Sequence, residues 1–158
     1  MITAGDFLFF GGGVTTAMSK IEGLDVKFVL NHDDVAIRTN MFNNRGIKHY
    51  WADFYKQDEH DIEHVDFLWA SIECTQHSRA NGGREKKIGS YTLGFELIRY
   101  IKHIRPYVIG IENVPEFKEW APTDANGRPI KERKGEEFKR WKAAICALGY
   151  EYHENINN

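Results

Sequence analysis

Residues 7–13 read Phe7-Leu8-Phe9-Phe10-Gly11-Gly12-Gly13, an apolar run that empties into a glycine turn. An apolar stretch without strict alternation suits a strand covered on both faces, as in a parallel sheet. Three more such runs follow, Val26 to Leu30, Val65 to Trp69 and Tyr107 to Ile111, with a weaker candidate at His49-Tyr50-Trp51. Helical patterns lie between them. From Thr92 to Ile104, residues Leu93, Leu97, Tyr100, Ile101 and Ile104 fall on one helical face. Arg105-Pro106 then stops the helix. From Glu136 to Leu148, Phe138, Trp141, Ile145 and Leu148 repeat the pattern, with acids in the first turn and Gly149 placed to cap the end. Shorter helices are expected after Gly13 and after Asp33. Strands alternating with helices predict an α/β fold, an open doubly wound sheet with right-handed crossovers. Residues 121–135, polar and rich in turn formers, read as a long exposed loop.

The chain has 158 residues, for which a single domain is the expectation. Its 42% hydrophobic and 28% charged residues are ordinary for a soluble globular domain. No apolar run approaches the ~20 residues of a membrane helix, and no secretory signal opens the chain. Two cysteines, Cys74 and Cys146, make no disulfide framework, so a reducing, cytoplasmic setting is expected. The net charge of −2 is unevenly spread. Residues 1–66 hold eleven acids against six Lys and Arg, whereas residues 67–158 hold fifteen Lys and Arg against twelve acids. Within the latter, Arg79, Arg84, Lys86 and Lys87 face only Glu85 between residues 75 and 90. Such a loop can meet phosphates, or it can simply be solvated.

Ligands of open α/β sheets bind beyond the carboxyl ends of the strands. Four places in the sequence meet that rule. The glycine turn lets a ligand approach the backbone closely. Val14, Thr15 and Thr16 stand where a dinucleotide pattern would need its third glycine, which favours a cofactor without pyrophosphate over a nicotinamide. Asn31-His32-Asp33-Asp34 offers an acid for ribose hydroxyls, although Asp33 equally suits a helix N-cap. Asp53, after His49-Tyr50-Trp51, could accept from an adenine amino group or close a strand. The fourth place has two parts. Cys74 is a thiol at a strand end beside the basic loop, while Cys146 fits a buried helix face. Glu112 closes an apolar run, a costly place for an unpartnered charge, and Asn113 with Pro115 and Glu116 reads as a helix start. His60 and His64 are spaced as ligands on a helix could be, but the surrounding acids read as a solvated face and no metal is expected.

In this order, these places resemble the DNA cytosine-5 methyltransferase family. FLFFGGG is similar to that family's DLFxGxGG cofactor loop, IECTQHS to its PCQxFS nucleophile loop, and IENV matches its ENV motif. GSYTLGFELIRYIKHIRPYVIGIENV resembles the helix and strand leading into that motif, and GYEYHENINN the strand after it. The resemblance implies a Rossmann-like S-adenosylmethionine-dependent methyltransferase sheet. It also implies transfer of a methyl group from S-adenosylmethionine to C5 of a cytosine flipped out of double-stranded DNA. Cys74 would be the nucleophile, with Glu112 and Asn113 on the base. Phe9, Gly11, Gly13, Asp53 and Leu93 would line the cofactor site, with Asp33 as a further candidate, and Ser78, Arg79, Arg84, Lys86 and Lys87 would meet DNA.

Departures from the family pattern are as informative. Glu73 replaces the proline before the cysteine, Asn31 stands where the ribose-binding acid is usual, and Phe7 replaces the opening aspartate. The later arginine-bearing motif and the target-recognition region do not occur in residues 1–158. Residues 1–158 are therefore expected to be the N-terminal part of a catalytic domain, the sheet truncated before its last strands, and inactive without the rest. Two alternatives keep the fold: a binding or split-enzyme subunit completed by a second chain, and an RNA cytosine-5 methyltransferase.

Overall fold

The computed structural model describes residues 1–8, 11–72 and 93–156. Its elements in chain order are β1 (Ile2–Phe7), α1 (Gly13–Met18), β2 (Leu24–Asn31), α2 (Asp34–Asn43), β3 (Lys48–Trp51), β4 (Phe67–Ser71), α3 (Leu93–Ile104), β5 (Val108–Glu112) and α4 (Glu136–Cys146). The chain divides into two compact units, Met1–Glu73 with Arg99–Glu112, and Cys74–Ile98 with Asn113–Asn158.

The first unit is built on a five-stranded sheet in the order β3-β2-β1-β4-β5, with every pair parallel. β1 is its central strand, and the direction of winding reverses there. Successive side chains of a strand point to opposite faces, and the last two residues of β1 show it. Asp6 faces α1, where it meets Thr15, and Phe7 packs edge-on against Tyr100 of α3 with ring centroids 4.9 Å apart. Helices therefore cover both faces, as a doubly wound sheet requires.

On the α1–α2 face, Ala4, Met18 and Val26 form one buried cluster and Val29, Ala36 and Ile37 another, with Ile47 packed against both. The opposite face is aromatic. Phe7 lies 5.5 Å from Phe28 and 5.3 Å from Phe54 between ring centroids, and Phe54 lies 4.5 Å from Tyr100. The β1–β2 register shifts between Ala4 and Gly5, so Lys27 is passed over and Val26 and Val29 both turn to the α1–α2 face. Gly5 sits where the Phe28 ring crosses β1, and a Cβ at this position would lie 2.2 Å from that ring.

The strands and helices expected from the apolar pattern are all present, with one displaced. The pattern places the first strand at Phe7 to Phe10, but β1 ends at Phe7. Leu8 takes φ 58°, a left-handed conformation, and the strand ends there, its amide making a last bond to Leu30 O at 2.9 Å. The strand begins instead at Ile2, where Gly5 and Asp6 hide it from an apolar count. Arg105, also left-handed at φ 51°, ends α3 before Pro106, and Gly149 at φ 97° follows α4. The segment from Pro115 to Glu119 is a 3₁₀ turn with Pro at its start, so the helix expected after Asn113 is short. Tyr150 to Ile156 form no strand, contrary to the resemblance. Among the described residues no strand pairs with this segment, and an extended stretch becomes a strand only through a ladder.

The second unit centres on indoles. Trp141 donates from Nε1 to Gly94 O at 2.8 Å, and Trp120 stacks on Phe117 at 5.4 Å. The expected loop folds back through a bridge between Thr123 and Pro129, its turn fastened by Asp124 accepting from the Asn126 and Arg128 amides. No described helix is long and apolar enough to cross a membrane.

The Gly5 packing makes a quantitative prediction. Gly5→Ala should cost about 2–3 kcal/mol, the usual penalty for an overpacked core. A Phe28→Leu second change should recover part of it. Urea denaturation of the three proteins checks this, and an unchanged midpoint for Gly5→Ala would refute the close packing.

Candidate active site

Because all five strands run the same way, their carboxyl ends share one edge of the sheet, and the sequence motifs of the first unit collect there. Beyond β1 come Gly11 and Gly12, left-handed at φ 63° and 82°. Gly11 and Gly13 are exposed, and a Cβ on either would meet nothing within 4 Å. Gly12 is the opposite case. It is buried, and a Cβ there would lie 2.8 Å from Asn40 Nδ2. The turn thus presents bare backbone outward and rests on α2 inward.

Asp6, which no sequence motif singles out, is fully buried just before this turn. It supplies a carboxylate one residue ahead of the position where Phe7 departs from the family pattern. Thr15 Oγ donates to its Oδ2 at 2.6 Å. Its Oδ1 has no partner among the described residues. Burial pushes the Asp6 carboxyl up from 3.8 to about 7, against the hydrogen bonds from Thr15 that pull it down. Nothing in an apolar count marks such a residue. An acid one residue before the end of an apolar strand, with threonines a turn into the next helix, is the signal that points to it.

At the end of β2, Asn31 is buried and its Oδ1 accepts from the Asp33 amide at 3.0 Å. Asp33 is the N-cap of α2 and accepts from the Ala36 amide at 2.7 Å. The capping alternative for Asp33 is therefore realised. After β3, Asp53 is half-buried and opens a turn: its Oδ1 accepts from the Tyr55 amide at 3.0 Å, and its carbonyl from the Lys56 and Gln57 amides. That turn is held from α3. Tyr100 Oη donates to Phe54 O at 2.8 Å, while Arg99 donates to Phe54 O and Gln57 O and pairs with Glu59. Helical spacing marks Tyr100 only as a core residue and does not single out Arg99.

Glu112 ends β5 and is exposed. The burial cost inferred from its apolar run does not apply, because β5 is an edge strand of the described sheet. In the second unit, Leu93 is buried at the start of α3, and the half-buried Asn113 accepts from the Val114 amide at 2.9 Å. Cys74, Phe9, Ser78, Arg79, Arg84, Lys86 and Lys87 lie outside the described residues.

His60 and His64 do not share a helix. His60 is in a 3₁₀ turn, and both rings lie tilted against His103 of α3, with centroids at 5.0 and 4.9 Å. Donor atoms of Asp58, Glu59 and His60 lie within 4.8 Å of one another, but Glu59 is engaged by Arg99 and the His60 ring by Asp58.

A family model for C-5 cytosine-specific DNA methylase matches residues 6–158. The chain belongs to that family. Among curated proteins, the type II methyltransferase M1.ScrFI of Lactococcus lactis subsp. cremoris is 32% identical over 151 residues, covering 92% of this chain and 34% of the relative. The chain thus spans about a third of the length of the curated relative it matches. Two solved structures show the same fold. One is a prophage-encoded protein of E. coli described as a DNA modification methyltransferase, with a TM-score of 0.67 at 17% identity, over 93% of this chain and 38% of that one. The other is the Dnmt2 methyltransferase of S. pombe, with a TM-score of 0.60 at 16% identity, over 89% and 41%. The Rossmann-like α/β sheet of the S-adenosylmethionine-dependent methyltransferases is therefore the architecture here. S-adenosylmethionine is the cofactor of the C-5 cytosine methylase family, as the motifs imply.

The raised Asp6 carboxyl makes stability depend on pH. Below its unfolded value of 3.8 the group is neutral in both states and folding is unpenalised. Above that value the unfolded chain ionises while the folded one keeps its proton, so stability falls until pH passes the folded value of about 7. Across that window the loss should reach about 4 kcal/mol, at about 1.4 kcal/mol for each step of one in pH. Asp6→Asn should flatten the slope. Urea denaturation at several pH values checks it, and equal slopes in the two proteins would contradict the assignment.

Proposed function

We propose that this chain is the cofactor-binding and nucleophile-bearing part of a DNA cytosine-5 methyltransferase. One observation carries the reading. The family match spans residues 6–158, a stretch in which the glycine turn, Cys74 and Glu112 occur in the order the resemblance implies. The order has a structural sense, since the glycine turn and Asp53 follow, and Glu112 forms, the carboxyl ends of parallel strands.

The glycine turn suits a cofactor that must touch backbone. Gly11 and Gly13 leave room on their open side, and the Asp53 carboxylate stands at the end of the third strand. In this reading Gly11, Gly13, Asp53 and Leu93 hold S-adenosylmethionine, with Phe9 beside the turn. Asp33 contributes through its cap on α2, and the buried Asn31, turned onto the Asp33 amide, leaves the ribose with a weaker grip. When bound, S-adenosylmethionine supplies an electrophilic methyl group.

Cytosine C5 is too weak a nucleophile to take that methyl unaided. The Cys74 thiolate forms a bond to C6 and pushes electron density onto C5. Glu112 holds the N3 edge and favours its protonation, so that negative charge does not build up on the ring, and Asn113 fixes that edge. S-adenosylmethionine held at the glycine turn would supply the methyl group that the activated C5 takes. Transfer of the C5 proton to water and cleavage of the S–C6 bond would return the Cys74 thiolate and release 5-methylcytosine. The base must first leave the helix, at a cost of a few kcal/mol. Ser78, Arg79, Arg84, Lys86 and Lys87 would offset that cost through the DNA backbone. A thiol titrates near ~8.5 unperturbed. A Glu73 carboxylate directed at the sulfur would raise that value, so the proposal needs it directed away.

Two measurements test this reading. S-adenosylhomocysteine should bind the chain weakly, in the micromolar to low-millimolar range, and no calorimetric signal at millimolar ligand would remove the cofactor assignment. A protein joining this chain to the later family motifs should form a covalent adduct with a 5-fluorocytosine duplex in the presence of S-adenosylmethionine, because fluorine cannot leave C5 as the proton does. Cys74→Ser should abolish the adduct; an undiminished adduct would displace Cys74, and trapping on RNA alone would displace DNA as the substrate.

A further inference from the structure

The glycine turn rests on a run of hydrogen-bonded side chains. Thr15 Oγ has a single proton and gives it to Asp6 Oδ2 at 2.6 Å. The same oxygen accepts from Asn40 Nδ2 at 2.9 Å. That fixes which way the Asn40 amide faces and leaves its Oδ1 as an acceptor. Asn44 Nδ2 lies 3.2 Å from Asn40 Oδ1, and His49 Nε2 lies 3.0 Å from it. His49 Nδ1 in turn meets Ile47 O at 2.8 Å. From Asn44 the run returns to α1, where Thr16 Oγ donates to Asn44 Oδ1 at 3.1 Å. Asp6, Thr15, Asn40 and Asn44 are all buried.

The polarity of this run is dictated from one end. Ionised, as it is above about pH 7, the buried Asp6 carboxylate can only accept, so Thr15 must donate to it, Asn40 must donate to Thr15, and His49 and Asn44 must face an oxygen. The Asn40 amide is also the surface on which Gly12 lies, since a Cβ on Gly12 would come within 2.8 Å of its Nδ2 and 3.2 Å of its Cγ. Thr16 N closes the same turn by donating to Gly12 O at 2.9 Å. The position of the turn is therefore tied to the orientation of one amide on α2.

We propose that Asn40 is a positioning residue for the cofactor turn, holding Gly11–Gly13 in their binding conformation through a polar relay whose direction is set by Asp6 and whose far end is His49. The proposal rests on the reading of the glycine turn as the S-adenosylmethionine site. Asn40 does not touch the cofactor; it acts through Gly12 and Thr15. An amide is required because it both donates and accepts. A carboxylate of the same shape at this position would place two acids about the single Thr15 proton, breaking the relay without changing its volume. Exchanging the two ends would mend it, because an amide at position 6 can donate to Thr15 and a carboxylate at position 40 can receive from it.

Two readouts on the chain test the relay, one with ligand and one without. Without ligand, and at one fixed pH above the Asp6 titration near 7, Asn40→Asp should speed amide exchange at Thr16 at least tenfold, and Asp6→Asn combined with Asn40→Asp should return it to within about threefold of the starting protein. With S-adenosylhomocysteine, calorimetry should show affinity falling at least tenfold in Asn40→Asp and recovering in the double variant. Exchange that fails to recover in the double variant overturns the relay. Exchange that recovers while affinity does not overturns the positioning of the cofactor turn. If the starting protein itself binds no S-adenosylhomocysteine, the cofactor reading of the turn falls, and the exchange arm still decides the relay.

Discussion

A single strand organises the first unit. β1 lies at the centre of the parallel sheet, and its last two side chains serve opposite layers, Asp6 reaching α1 and Phe7 reaching α3. This alternation, together with parallel pairing on both sides, lets one strand serve both layers. It also explains the contrast between the two faces. The Phe7 side is an aromatic core in which a ring passes so close to β1 that only glycine fits at position 5. The Asp6 side carries a buried acid among the buried polar side chains of Thr15, Asn40 and Asn44, and the penalty of burying it is offset by a hydroxyl that donates to it.

The segments that carry candidate chemistry are held by these same layers. The turn after β3 hangs from Arg99 and Tyr100, and Tyr100 is also a wall of the aromatic core. The glycine turn lies on Asn40, which is wedged between α1 and the start of β3. In both places a loop takes its shape from a polar side chain on a regular element. That arrangement suits a site built on a rigid scaffold.

Much of the fold is legible from residue pattern. Apolar runs and helical spacing are set by burial, and burial acts locally, so β2, α3, β5 and α4 fall near their expected bounds. β1 is displaced from its expected span because Gly5 and Asp6 serve it through a close approach and a hydrogen bond, neither of which has an apolar signature. The order of motifs points to the family, since strand ends in a parallel sheet must line up. Long-range polar partners are what residue pattern hides. Thr15 and Asn40 are 25 residues apart and meet only through the placement of α1 and α2, and His49 joins them from β3. Likewise, His103 joins His60 and His64 only through the crossover, and the exposure of Glu112 follows from β5 lying at the edge, a property of strand order rather than of any residue.

The indoles of the chain divide evenly. Trp51 and Trp69 belong to the first unit, and Trp120 and Trp141 to the second. Their surroundings differ just as sharply, with Trp51 half exposed and the second pair sealed at 3% and 2% exposure around Gly94. A collisional quencher therefore reaches one unit's emission and not the other's. The chain carries a built-in optical probe that can tell whether its two units melt together or one at a time, without any label.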